Sequence, residues 1–398
     1  SRIQYVASIS RSYSTSIENI TLNNIEAKGT RFVGGSIGHM GEADVRNISL
    51  KGVNVTATSD YVGGFVGNIS NVTSNQVKHF YIEADDVHVV STGGSNHGIL
   101  YGHGGCSNST IKNSSVDGYN RVGGMAGYNT IYDVSQVTIE NCEVSGNQYV
   151  GGFSGNTNRS ISYSYITNSE ISGANTNSIY IGGFVGYSDG SINHSGIYHS
   201  NIINPGNYTG GISGGDAGSI YLNSIQDCVI SGNNYVGGLA GMTNGVSVGR
   251  LFRNNTVQAT INATGSGAGG TIGYYQNNYI DTTQSGLHYI YSNLIENSLI
   301  SAGYNAGGLI GQVDAMKTAD AIYNNIIVAN VETTNDPSSA GIVVGNGDAL
   351  TTTMQNTLIY ENSQLNGEIV SDLDIVGIEE KNYGTASDLA TQSTYTNR

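Results

Sequence analysis

The chain has no tryptophan, two prolines (Pro205 and Pro337) and three cysteines among 398 residues. It is also poor in positive charge: 15 lysines and arginines stand against 30 acids, for a net charge of −15. Each scarcity excludes something. Without a basic run to neutralise phosphates the chain does not read as a nucleic-acid binder, nor as a basic helix lying on a membrane. The near absence of proline separates this glycine-rich chain, with 57 glycines, from collagen. No apolar run reaches the roughly 18 residues of a membrane-spanning helix. An even 38% of hydrophobic residues argues against disorder. The length exceeds what one ordinary core fills, about 250–300 residues. With Ser1 first and no signal peptide, the sequence reads as a segment of something longer.

What is present is a repeat. The heptapeptide FVGGSIG begins at Phe32 and returns as YVGGFVG (Tyr61), RVGGMAG (Arg121), YVGGFSG (Tyr149), YIGGFVG (Tyr180), YTGGISG (Tyr208), YVGGLAG (Tyr235), GAGGTIG (Gly267) and NAGGLIG (Asn305). SAGIVVG from Ser339 is a degenerate copy, and GGSNHGILYG from Gly93 fills the double-length gap between Gly63 and Gly123. A second column precedes the first and includes Asn113, Asn141, Asn168, Asn201 and Asp227, and Ile-Tyr pairs such as Ile197-Tyr198 lie further upstream.

Each repeat thus offers three short β-favouring runs separated by Gly, Asn and Ser turns, and no helical stripe. Units of about 30 residues that cannot bury an apolar face alone must stack. The expectation is an all-β, parallel β-solenoid of about eleven coils with three short strands each, forming a rod of roughly 50 Å at about 4.8 Å per coil. A right-handed β-helix is the expected hand. The repeats cover residues 30–345, with a cap or junction at 1–29 and a second at 346–398. In the heptapeptide, Val62 and Phe65 or Val150 and Phe153 can both face inward only if the Gly pair bends the strand. The final glycine (Gly67, Gly127, Gly155, Gly186) suits a turn of positive φ.

Repeated Gly-Gly-[FLIM]-x-Gly in a lysine-poor, Asn/Ser-rich chain resembles the GLUG-motif repeats of bacterial cell-surface proteins. The segment from Thr385 to Tyr395 resembles the sequence that often follows them. The resemblance implies an extracellular protein, surface-bound or secreted. It is either adhesin-like or the non-catalytic arm of an IgA-specific zinc metallopeptidase.

Catalytic chemistry finds little footing. None of the eight histidines forms His-Glu-x-x-His, and His97 and His103 in their glycine-rich stretch read as solvated loop residues. The densest acidic cluster, Glu83, Asp85 and Asp86 with His88, has Lys78 as the nearest base for polysaccharide cleavage and reads first as a solvated turn. No catalytic residue, metal site or cofactor is expected. Asp/Asn turns could take calcium, but GGDAG from Gly214 does not match the calcium repeat. Cys142 and Cys228 occupy equivalent positions three coils apart, too far for a disulfide, and read as small core residues. Asn-x-Ser/Thr sequons, as at Asn19, Asn47, Asn68 and Asn113, are what such a composition produces by chance.

The candidate binding residues are Tyr61, Tyr149, Tyr180, Tyr208 and Tyr235, which with Phe32 would form an exposed aromatic stripe. The same column also reads as stacking that stabilises the sheet, and the Asn column as an amide ladder. Expected partners are a host or matrix glycan, a matrix protein or another copy. The alternatives are the arm of a surface protease, a polysaccharide-cleaving β-helix, or a fibre subunit.

Overall fold

The computed structural model describes residues 16–347 except 42, 71, 73–78, 216–217, 245–249, 277–288 and 316–319, with short pieces at 8–9, 353–355, 357–359, 363–369 and 374–376. Lys78 and the segment 385–395 lie outside the described residues.

The chain is a parallel β-solenoid. The segments ending in the first glycine of each pair stack in chain order from Val33–Gly34 to Ala340–Gly341, eleven copies separated by ten turns. Among the described residues there is no α-helix, only a short 3-10 turn at Pro337–Ser339.

One coil shows how the sequence does this. Val185–Ser188 belongs to a 12-stranded sheet and Ile192–Asn193 to a narrower 8-stranded one. Gly196–Tyr198 and Asn201–Gly210 lie in a 26-stranded sheet that bends at each corner. The corners are single residues of positive φ: His194 (49°), His199 (49°) and Tyr208 (63°). Isolated left-handed residues turn the chain without a loop, so every coil closes in about 30 residues.

A corner frees the next N–H from the β ladder, and a buried N–H must find a partner. The following coil supplies it. At the first corner Ser164 Oγ accepts from Val137 N–H (3.2 Å) and Ser195 Oγ from Ser164 N–H (3.1 Å). At the second, Ser169 Oγ accepts from Cys142 N–H (3.0 Å) and Ser200 Oγ from Ser169 N–H (3.1 Å). Further along the first corner the serines become a buried amide ladder, Asn223–Asn255–Asn293–Asn325, with Nδ2–H donating to the next Oδ1 at 3.2, 2.9 and 3.0 Å.

The core is columnar. Ile139, Ile166, Ile197, Ile225, Val257, Ile295 and Ile327 are successive rungs of one fully buried stripe, and Phe153 stacks on Phe184 at 4.8 Å. Val62, Phe65, Val150 and Phe153 are all buried, as the bent Gly pair requires. The second glycine of the pair is fixed by closeness: a Cβ on Gly183 would run into the Gly211 carbonyl of the next coil. The last copy has Ile342 there, and its strand Val344–Gly347 ends the 12-stranded sheet.

Three expectations change. The final heptapeptide glycine is not in the left-handed region; a Cβ on Gly186 would collide with the Tyr149 backbone, so it is small because a corner packs on it. The decayed copy does lie in the stretch from Gly93, aligned by Gly98, which pairs with Gly63 and Gly123; this puts His97 on the buried valine position rather than in a solvated loop. Asn201 is a strand residue paired with Glu170 and Val229, and His199 takes the corner in line with Asn168 and Asp227.

At the ends, Ser16–Lys28 already stacks in register on Asp44–Ala57, so the first coil reaches into the segment expected to form a cap. Past Val344–Gly347 part of one more coil stacks in parallel, as Thr353–Gln355, Thr357–Ile359 and Gln364–Leu365. Then the pairing changes: Asp374–Val376 pairs antiparallel with Thr357–Ile359, and Glu368–Ile369 with Gln364–Leu365 through Asn366 and Gly367, both of positive φ. Antiparallel strands end the parallel register that would otherwise template another coil.

Candidate functional site: a tyrosine ladder and a charged depression

The tyrosines form the third corner. Tyr149, Tyr180, Tyr208 and Tyr235 have φ of 53°, 61°, 63° and 63°, an unusual conformation for bulky side chains. Stacking compensates it. Ring centroids lie 5.3, 5.1 and 5.3 Å apart along the four, with interplanar angles of 16°, 12° and 14°. Tyr235 continues to Tyr274 at 4.6 Å. Tyr61 stands apart from the four: it stacks on Phe32 at 5.1 Å, and Asn96 and Arg121 fill the two intervening corners. Tyr187 packs edge-on against Tyr149 and Tyr180 at 6.1 and 6.0 Å.

This geometry decides what the ladder offers. The five candidate tyrosines are half-buried rather than exposed. In the run of four every ring face that looks along the stack at another tyrosine is covered, the outer face of Tyr149 alone having no ring against it among the described residues. Sugar stacking needs a free face; this ladder presents ring edges and a row of phenol oxygens instead. Burial, followed by the neighbouring phenols Tyr208 and Tyr149, raises the Tyr180 pKa, and burial with Tyr235 raises that of Tyr208, so these two remain neutral donors at physiological pH.

Beside the Phe32–Tyr61 pair runs a polar ladder. Asn68 bridges His39 Nδ1 (3.1 Å) and His103 Nδ1 (3.2 Å), while Ser70 and Thr130 hold the two Nε2 atoms at 3.0 and 3.1 Å. Every imidazole nitrogen is thus engaged within the ladder. Among the described residues no group of three or more His, Cys, Asp or Glu is disposed to hold a metal ion.

The acidic cluster resolves into a shallow depression of about 600 Å³ on the 26-stranded sheet, lined by Lys51, Glu83, Asp85, Lys112 and Glu140 with small Ser49, Thr110 and Thr138 between them. Lys51, Asp85, Lys112 and Glu140 are successive rungs of one column, and Lys112 Nζ pairs with Glu140 at 2.9 Å. Asp86 and His88 turn away to bond each other at 3.0 Å. The Glu140 hydrogen bond raises the Lys112 pKa; a lyase base needs the opposite shift.

The three cysteines are free and buried, and desolvation pushes Cys106 to about 12 and Cys142 and Cys228 to about 11, which makes them inert packing groups. The Asn column forms a ladder in part: Asn141 donates to Asn113 (3.3 Å) and Asn113 to Asp85 (2.9 Å). Two features escaped sequence reading. Arg250 is buried near Tyr187, Asp189 and Tyr275, and nothing in its local sequence marks it. The narrow sheet carries an aromatic column, Tyr221, Tyr291 and Tyr323, interrupted by Arg253; the pairs Ile220-Tyr221, Ile290-Tyr291 and Ile322-Tyr323 were its signal, whereas Ile197-Tyr198 belongs to the 26-stranded sheet.

Fold and surface together define a repetitive β-solenoid rod with ordered side-chain ladders on its outside. Comparison with protein-family models, curated proteins and solved structures gives no match for the chain.

Proposed function

We propose that this chain is a structural and adhesive segment of a large secreted or surface-anchored bacterial protein, a stiff rod with no chemistry of its own. The observation that carries the reading is the unbroken register of eleven stacked copies of the glycine segment, nine of them Gly-Gly, in which outward columns repeat and no constellation of acid, base and nucleophile is singled out among the described residues. The resemblance to GLUG-motif repeats points the same way, towards an adhesin shaft or the non-catalytic arm of a surface protease. Polysaccharide cleavage is the weaker reading, because Lys112 is held protonated by Glu140. The rod would meet a host or matrix glycan, a matrix protein or another copy through the edges of its ladders.

Brief protease treatment of intact producing cells tests the location: release of peptides from residues 30–345 is expected, and their protection until lysis would overturn the reading. The contact surface is tested by changing Tyr149, Tyr180, Tyr208 and Tyr235 to Phe together, which keeps the stack and removes the hydroxyls. Binding to matrix proteins and glycan arrays should fall about tenfold or more with little change in melting temperature, at roughly 0.5–1.5 kcal/mol per hydrogen bond lost. Undiminished binding would assign the ladder to stiffness alone.

A further inference from the structure

We propose that the outward side of the narrow sheet, centred on Arg253, is a binding site for an acidic carbohydrate. Tyr221, Arg253, Tyr291, Tyr323 and Gln355 are successive rungs of one column. The Arg253 guanidinium lies over the Tyr221 ring, 5.1 Å from its centroid. On the next two rungs after Arg253, Tyr291 and Tyr323 stack at 4.7 Å and 7°, with Tyr289 edge-on to Tyr323 at 6.4 Å.

Two observations point to an anion. First, Arg253 has no carboxylate within 4.0 Å among the described residues, unlike Lys28, Arg31 and Lys112 and like Arg121, which lies over Tyr128 at 5.0 Å. Its Nε is buried without a hydrogen-bond partner. Second, the eight strands of this sheet, from Val134–Ser135 to Thr353–Gln355, contain no Asp or Glu. Nor do the corner residues running beside Arg253: His194, Leu222, Asn254, Ser292 and Asn324. In a chain with twice as many acids as bases, this strip is locally cationic.

A guanidinium laid flat on an aromatic ring keeps its plane and offers its N–H edge for two parallel bonds to a carboxylate or sulfate. Phenol groups on neighbouring rungs, about 4.8 Å apart, add donors and acceptors at intervals along the rod. One cation flanked by hydroxyls suits a ligand with sparse anionic groups among many hydroxyls. A polyphosphate would instead meet the repulsion of the −15 chain. The site does not depend on the surface reading; a rod from any compartment would carry it.

The test is calorimetric titration of the whole chain with an oligogalacturonate, a sulfated oligosaccharide and a neutral oligosaccharide of equal length. At least one acidic ligand should bind, weakening with added salt, and the neutral one should not; the two acidic arms separate carboxylate from sulfate recognition. Arg253→Gln should lose roughly 10- to 100-fold in affinity, with Arg253→Lys between it and the parent. Circular dichroism and thermal unfolding of each variant report whether the rod is intact. Equal binding of neutral and acidic sugars, unchanged affinity in a folded Arg253→Gln, or no binding of either acidic sugar would overturn the proposal. A poly-glutamate peptide binding as tightly would overturn the carbohydrate assignment.

Discussion

At the scale of single residues, the rod depends on small polar side chains in places usually reserved for hydrocarbon. Asn255 is 1% exposed, yet none of its amide atoms is idle. Its Oδ1 accepts from the Asn223 N–H (3.1 Å) and Nδ2 (3.2 Å), and its Nδ2 donates to the Ile220 carbonyl (3.0 Å) and Asn293 Oδ1 (2.9 Å). Asn255→Leu would leave the Asn223 N–H buried without a partner and break the ladder on both sides, an expected loss of about 3 kcal/mol. Asn255→Ser should lose only about 1–2 kcal/mol, since serine already does this work at Ser164 and Ser195. Denaturant melts of the two variants check the order. A leucine variant as stable as the serine one would mean that the corner N–H does not need its acceptor.

The element most unlike its neighbours is the coil through His97. In register with Val62 and Val122, this histidine is wholly buried and packs against Gly118, where a Cβ would come within 2.6 Å of the ring. Burial lowers its pKa to about 4, and burial likewise takes His79, bonded to the Tyr101 hydroxyl at 3.0 Å, to about 3. Both therefore fold in the neutral form. Below the unfolded value of about 6.5 the unfolded chain takes up the protons. Their stabilisation is thus complete above that pH and lost as pH falls towards 4 and 3, by about 1.4 kcal/mol per pH unit for each histidine. His97→Val restores the repeat residue: melting temperature at pH 5 should rise, and the acid dependence between pH 6.5 and 4 should lose about a third of its slope, the rest being carried by His79 and by His103, which burial lowers to about 4. An unaltered pH profile would show that His97 is solvated in solution.

The same coil marks the limit of what sequence could reveal. The Gly pair and the inward Val and Phe were legible because nine copies repeat them in phase. Gly98 was not, because Ile99 replaces the second glycine and a nearby Gly93-Gly94 pair mimics it. The tyrosine column was legible as a column, and its stacking was one of the two readings it offered; its place at left-handed corners and its half-burial were not, because tyrosine does not advertise positive φ as asparagine does.

For the whole molecule, stability is a sum over coils and their interfaces, so the rod should tolerate losing one complete turn and nothing less. Deleting residues 152–182 joins Gly151 to Gly183, which occupies the same place in the next coil as the removed Gly152. Across the new junction Ile139 would meet Ile197 in the aliphatic stripe, and Tyr149 would meet Tyr208 in the ladder. The Val137 and Cys142 N–H groups would find Ser195 and Ser200 where Ser164 and Ser169 had been. Deleting only residues 152–167 puts corners opposite strands and buries N–H groups without acceptors through all later coils. The first variant should keep its β circular dichroism and unfold cooperatively, with X-ray scattering showing a rod shorter by about 4.8 Å. The second should lose cooperativity and aggregate through its unpaired edges. If the two behave alike, the columns are a by-product of composition, and sheet hydrogen bonding alone holds the coils together.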